Sequence, residues 1–159
     1  MSREQPLGIT LRPARPGEAA PLTELCLRSK AHWGYDAAFM AACREELTVS
    51  EEVAGSPLVQ LATVDGKLAA MAEIVRDENS WHLEKLFVDP PFMRLGLGRR
   101  LFGWSVRTAA EHGATSLEIA ADPAPLPSTG FAGRSTTAWC LPAPFRGAFC
   151  RNSLCICSG

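Results

Sequence analysis

An α/β (α+β) fold is what this sequence predicts: a mixed, mostly antiparallel central sheet flanked by helices, in the order β-α-α-β-β-β-α-β. Three observations predict it. A strand from Trp81 to Val88 stops at Asp89-Pro90-Pro91 and leads into a glycine-rich corner, Met93 to Gly98, that opens a helix. Asp65-Gly66, a strong hairpin turn, sits between two apolar runs, Leu58 to Val64 and Leu68 to Val75. Upstream of these, Leu22, Leu25, Cys26 and Ser29 recur at helical spacing.

Taken in order, Ile9 to Arg12 alternates like a short first strand and is ended by Pro13. The first helix is expected from Pro16 to Lys30 and the second from Asp36, a good N-cap, to Glu46. The apolar side of the second carries Phe39, Met40, Cys43 and Leu47. The hairpin follows, with Ala70, Ala72 and Ile74 on one face and Met71, Glu73 and Val75 on the other. Arg76 to Ser80 is a polar turn into the central strand. There, simple alternation puts His82, Glu84 and Leu86 on one side and Trp81, Leu83, Lys85 and Phe87 on the other. A helix is predicted from Gly96 to His112, capped by Gly113, and a last strand from Thr115 to Ala121.

The totals exclude several classes. A chain of 159 residues fits one domain with a sizeable core. A formal net charge of −1 argues against nucleic acid or an anionic membrane as partner. No apolar run approaches the roughly 20 residues that cross a bilayer. MSREQPLG lacks the apolar core of a signal peptide, so a cytoplasmic location is the default expectation. Cys26 and Cys43 read as buried thiols. Cys140, Cys150, Cys155 and Cys157 crowd the C-terminus without a C-x-x-C pair or a histidine beyond His112, so no metal site is expected.

The corner at Met93–Gly98 carries the chemistry. A helix N-terminus leaves backbone N–H groups unpaired, and together with the helix dipole they suit a phosphate or pyrophosphate. Gly96 and Gly98 let a ligand come close, and Arg94, Arg99 and Arg100 add positive charge. An ordinary helix start with solvated arginines would look the same by glycine spacing alone. A P-loop is excluded because Gly98 is followed by Arg99-Arg100, and a Rossmann fingerprint because the third glycine is missing.

Leu86, Phe87, Val88, Asp89 and Pro90, followed by Met93 to Gly98, resemble the acetyl-CoA-binding motif of the GNAT superfamily of N-acetyltransferases, over about residues 7–123. Met93 departs from the Gln or Arg usual there. The resemblance implies acetyl-CoA as co-substrate and no metal. Leu86, Phe87 and Val88 would meet the pantetheine arm through their main chain, and the N–H of Val88 or its neighbour would polarise the thioester carbonyl. The N–H groups of Arg94, Leu95, Gly96, Leu97, Gly98 and Arg99 would hold the pyrophosphate. It further implies that the strands at 81–88 and 115–121 splay apart to admit that arm. His32, Trp33 and Tyr35, between the first two helices, become candidate acceptor contacts; equally, Trp33 and Tyr35 would serve to pin that loop to the core.

Acetyl transfer to an amine needs a base for the amine proton, a donor for the developing oxyanion and a proton for the leaving thiolate. Glu84 is the first candidate for the base and His82 the second, against the plainer reading of each as half of a cross-strand ion pair. The family's general acid is the tyrosine of a Phe-Tyr pair after the last predicted strand, and that pair is missing; the chain's one tyrosine is Tyr35.

Residues 1–123 thus read as an acetyltransferase domain. Residues 124–159 read as an atypical tail rich in Pro, Gly, Ser and Cys, without helical or alternating period. Pro127-Ser128-Thr129-Gly130 can be encoded by CCT-TCT-ACC-GGN, which in another frame gives TTC-TAC-CGG, Phe-Tyr-Arg. A frameshift is therefore one expected origin of the tail, a naturally divergent tail the other. The functional expectation is an N-acetyltransferase for a small-molecule or protein amine; the alternative is an acetyl-CoA-binding domain impaired in catalysis. Without the family's last two strands an exposed sheet edge would favour a homodimer or aggregation.

Overall fold

The computed structural model describes residues 7–78, 80–121 and 135–140. The chain runs β1 (Ile9–Pro13), α1 (Ala19–Ala31), α2 (Ala37–Leu47), α3 (Glu51–Ala54), β2 (Val59–Val64), β3 (Lys67–Arg76) and β4 (Trp81–Val88). A 3-10 turn (Pro90–Phe92), α4 (Leu97–Glu111), β5 (Ser116–Ala121) and β6 (Ser135–Cys140) follow. The strands form one sheet in the order β1-β2-β3-β4-β5-β6. Every pairing is antiparallel except β4 with β5, which is parallel and bridged by α4.

Local chemistry sets most boundaries. Asp65 (φ 49°) and Gly66 (φ 79°) both adopt left-handed backbone, the geometry a two-residue hairpin requires. Asp65 Oδ1 also accepts the Gly8 N–H at 2.8 Å, pinning the entry to β1. Asp36 caps α2 through Oδ1, which accepts the Phe39 N–H at 2.8 Å. Helix α1 starts at Ala19, later than expected, because Arg15–Gly17 form a turn in which Gly17 has φ 92°. Helix α3 was not foreseen; one turn is too short to show a period, and its start is the Ser50 Oγ, which accepts the Val53 N–H at 3.2 Å.

The core lies on both faces of the sheet. On one, Leu97, Leu101 and Ala109 of α4 pack against Ala70, Ala72, Leu83, Leu86 and Val88. On the other, Leu22, Leu25 and Cys26 of α1 cover Val59, Leu61 and Met71, with Phe87 beside them. Helix α2 fully buries only Leu47; Phe39 stays 39% exposed, and Cys43 is only half-buried, not the buried thiol expected.

Two further expectations need correcting. The register passes from Glu73↔Lys85 to Ile74↔Leu83, so Glu84 is an extra residue bulged out of β4. The bulge resets the alternation: Leu86 joins Trp81 and Leu83 on the α4 side, and the face expected to hold His82, Glu84 and Leu86 together does not exist. The tail also contributes a strand. β6 pairs with β5 from Ser116↔Cys140 to Ala121↔Ser135, where the sequence had shown no alternation.

Candidate functional site

The site begins where two strands part. β4 and β5 pair only at His82↔Glu118 and Leu83↔Ile119. From Glu84 to Val88 the edge of β4 that faces β5 has no ladder partner among the described residues. Backbone groups in such a position need bonding partners, and an extended chain bearing amides supplies them. Leu86, Phe87 and Val88 lie on this released stretch. Their side chains are anchored away from it, Leu86 and Val88 under α4 and Phe87 toward α1, which leaves the main chain to face the gap.

At the end of that stretch the chain turns through Asp89 and the 3-10 turn into the glycine corner. Arg94 (φ 69°) and Gly96 (φ 74°) both take left-handed backbone. Gly96 is the N-cap of α4 and brings no side chain to the first-turn amides, so the N–H groups of Leu97 and Gly98 point out of the helix head uncapped. A Cβ on Gly96 would meet no atom within 4 Å; one on Gly98 would stand 3.7 Å from Val88 Cγ2. The corner is thus open in front of its donors. Arg94, Arg99 and Arg100 are exposed around it, whereas Leu97 is buried and Leu95 half-buried. This donor set and charge fit a pyrophosphate.

The two candidate bases have different surroundings. Glu84 is exposed, one residue beyond the last β4–β5 pair, and among the described residues its carboxylate has no ion-pair partner. His82 is engaged on both ring nitrogens: Nε2 lies 2.9 Å from Ser80 Oγ and Nδ1 3.3 Å from Glu118 Oε2. His82 is therefore in cross-strand contact with Glu118 at the base of the fork. The buried pair on this strand belongs to the next residue, Lys85, whose Nζ donates to Glu73 Oε2 at 2.7 Å.

His32, Trp33 and Tyr35 follow directly on α1. Trp33 is 38% exposed and meets His32 edge-on with ring centroids 5.5 Å apart. Tyr35 stacks on Phe39 at 4.4 Å, and Lys30 Nζ lies 5.6 Å from both of those rings. The sequence reading missed Phe39 and Lys30 as members of this cluster. It also missed Arg28, whose guanidinium donates to both carboxylate oxygens of Asp89 at 3.0 and 2.8 Å. Sixty-one residues separate that pair, and no local pattern announces it.

Elsewhere, burial pushes the Cys26 thiol up to about 12, which leaves it without nucleophilic character near neutral pH. A polar cavity of about 160 Å³ between Arg76, Ser80, Trp81 and His112 lies where β4 begins, away from the glycine corner. It is smaller than the few hundred Å³ usual for organic ligands. Among the described residues no helix is long and apolar enough to cross a membrane, and no cluster of three or more His, Cys, Asp or Glu residues could hold a metal ion.

Known proteins share this fold. The fold is similar to the PaiA N-acetyltransferase of Thermoplasma acidophilum, solved with coenzyme A: TM-score 0.62, 17% identity, 72% of this chain and 80% of that one covered. It is similar to a GNAT family acetyltransferase of Brucella melitensis in complex with acetyl-CoA, with TM-score 0.54, 17% identity and coverage of 72% and 77%. N-acetylglutamate synthase of Neisseria gonorrhoeae, solved with coenzyme A and N-acetyl-glutamate, matches at TM-score 0.51 and 16% identity, over 73% of this chain but only 26% of that one. Among curated proteins no match was found. The family model for Acetyltransferase (GNAT) family matches residues 24–135, which include the whole of the fork and the glycine corner. The chain belongs to the GNAT family of acetyltransferases.

Proposed function

We propose that this chain transfers acetyl from acetyl-CoA to a primary amine of a small molecule or protein by direct attack. The observation that carries the reading is the fork: β4 leaves β5 after Leu83, and the freed strand leads straight to an uncapped helix head ringed by arginines. A CoA-shaped ligand asks for that combination, amide partners for its pantetheine and donors for its pyrophosphate. Phe87 and Val88 would supply the first, and Arg94 to Arg99 the second.

Glu84 is the base in this reading. Bulged and exposed at the mouth of the fork, with no ion-pair partner among the described residues, it can take the proton of an ammonium directly or through water. The freed amine attacks the thioester carbonyl and a main-chain N–H near Val88 stabilises the oxyanion; its collapse breaks the C–S bond, and the proton shed by the attacking nitrogen passes through water to the leaving thiolate. The acceptor would approach past His32, Trp33 and Tyr35.

One observation favours a second reading, an acetyl-CoA-binding domain impaired in catalysis. The only tyrosine, Tyr35, is stacked on Phe39 in the segment after α1, not beyond the strand that follows α4, where the family's general acid belongs.

Thermal melts with and without excess acetyl-CoA test binding. A ligand held only by the folded state at about a hundred times its Kd adds about 2.7 kcal/mol, a rise of several degrees. A melt that does not move removes the CoA site. Chromatographic measurement of CoA released in the presence of a panel of amines then separates the two readings, because only the first gives amine-dependent release.

A further inference from the structure

The pyrophosphate corner is reached from β4 through one residue, Asp89, and that residue is held from the other side of the sheet. We infer that Arg28 is a positioning residue for coenzyme binding: it grips Asp89 and thereby sets the glycine corner against the end of β4. The inference rests on the reading of the corner as the CoA site.

Asp89 is 7% exposed, and its N–H donates to Ala69 O at 2.8 Å, fixing it to the first residues of β3. Its carbonyl accepts the Phe92 N–H at 2.9 Å and so starts the 3-10 turn, which Met93 N–H to Pro90 O closes at 3.3 Å. The next residues are Arg94 and Gly96 with their left-handed backbone. The Asp89 carboxylate is the side-chain handle on this turn, and both its oxygens are taken by Arg28 Nε and Nη2. A bidentate guanidinium fixes orientation as well as distance, which a lysine ammonium does not.

Arg28 comes from the last turns of α1, on the face opposite α4. The pair therefore runs round the end of the sheet and joins the layer that leads to His32, Trp33 and Tyr35 to the corner at the head of α4. It also cancels a buried negative charge a few residues from where two phosphates would bind. The hydrogen bonds that Arg28 donates to the Asp89 carboxylate raise its guanidinium further above its ordinary value, so Arg28 stays charged throughout the neutral range.

The test uses the full chain with Arg28→Ala, Arg28→Lys and Asp89→Asn. Acetyl-CoA Kd is measured by calorimetry, and amide hydrogen exchange is followed at Phe92, Met93 and Arg100 without ligand. Positioning predicts faster exchange at those amides in Arg28→Ala and a Kd raised about tenfold. Arg28→Lys, which keeps the charge and loses the fork, should lie between Arg28→Ala and the unmodified chain. Half of the Arg28 side-chain surface is exposed, so loss of the fold is not the expected result. Unchanged exchange in Arg28→Ala and Asp89→Asn would overturn the inference, as would an unchanged Kd beside a lowered Tm, which marks a role in stability alone. If the unmodified chain binds no acetyl-CoA yet exchange still rises, the CoA reading fails and the hold of Arg28 on the corner stands.

Discussion

Gly96 and Gly98 are two residues apart, yet alanine at each should act in opposite ways. Gly96 has φ 74° and open space around a would-be Cβ, so Gly96→Ala meets no clash and pays for left-handed backbone alone. That cost is about 1–2 kcal/mol, a fall in Tm of about 2–8 °C for a chain of this size. Gly98 lies inside the first turn of α4, and its Cβ would make ordinary contact with Val88 Cγ2 at 3.7 Å. Gly98→Ala should leave stability unchanged or raise it by up to about 1 kcal/mol, since alanine is the better helix former. The same methyl would stand between the helix head and the end of β4, where a phosphate must approach the N–H groups. One charge-assisted hydrogen bond is worth about 1.5–3 kcal/mol, so acetyl-CoA Kd should rise about ten- to hundredfold. Calorimetry and a melt of the ligand-free protein measure both quantities. An unaltered Kd for Gly98→Ala with an intact Tm would refute the corner as the pyrophosphate site.

Three other outcomes are expected. Glu84→Gln should lower kcat by about a hundred- to ten-thousandfold while acetyl-CoA Kd holds, and a rate equal to that of the unmodified enzyme would remove Glu84 as base. Lys85→Ala strands the Glu73 carboxylate, whose side chain is 8% exposed, and should cost about 3–5 kcal/mol in urea unfolding; Glu73→Gln with Lys85→Met should cost much less, and equal costs would contradict the pairing. Glu18 is held below its ordinary 4.5 mainly by hydrogen bonds from Arg12 and also by the Arg15 N–H. A depressed carboxylate contributes stability above its unfolded value and loses it as pH falls through the folded one. The Tm gap between the protein and Glu18→Gln should therefore be open at pH 7 and close in acid below about 4.5; a gap independent of pH would count against it.

Much of the fold was legible because it is written locally. The central strand has the limits its residues announced, Trp81 to Val88, since Asp89-Pro90-Pro91 ends it. Asp36 and Asp65-Gly66 act through their own side chains and backbone within a few residues. What escaped depends on distant pairing. No residue type marks Glu84 as a bulge; it is one because Glu73 pairs with Lys85 and Ile74 with Leu83. His82 with Glu118 and Arg28 with Asp89 become neighbours only once the sheet exists. β6 carries strand-forming Thr136, Thr137 and Trp139, but its six residues are too few to stand out among the Pro and Gly around them. At the candidate site the glycine corner stood out in the sequence, whereas what surrounds each candidate base did not: Glu84 bulges and His82 meets Glu118 only once the strands have paired.

The sequence order of the sheet bears on how the protein assembles. β2, β3 and β4 form a continuous meander over residues 59–88, closed by short turns. β1 must return across the two long helices, and β5 must travel past α4 before it can dock. Low contact order favours the meander as the early structure, with β5 arriving late. A ligand lodged between β4 and β5 would then contact a junction still unmade in the transition state. Such a ligand slows unfolding without hastening folding. Acetyl-CoA should accordingly act on this protein as a brake on its opening, lengthening the life of the native state rather than shortening the path to it.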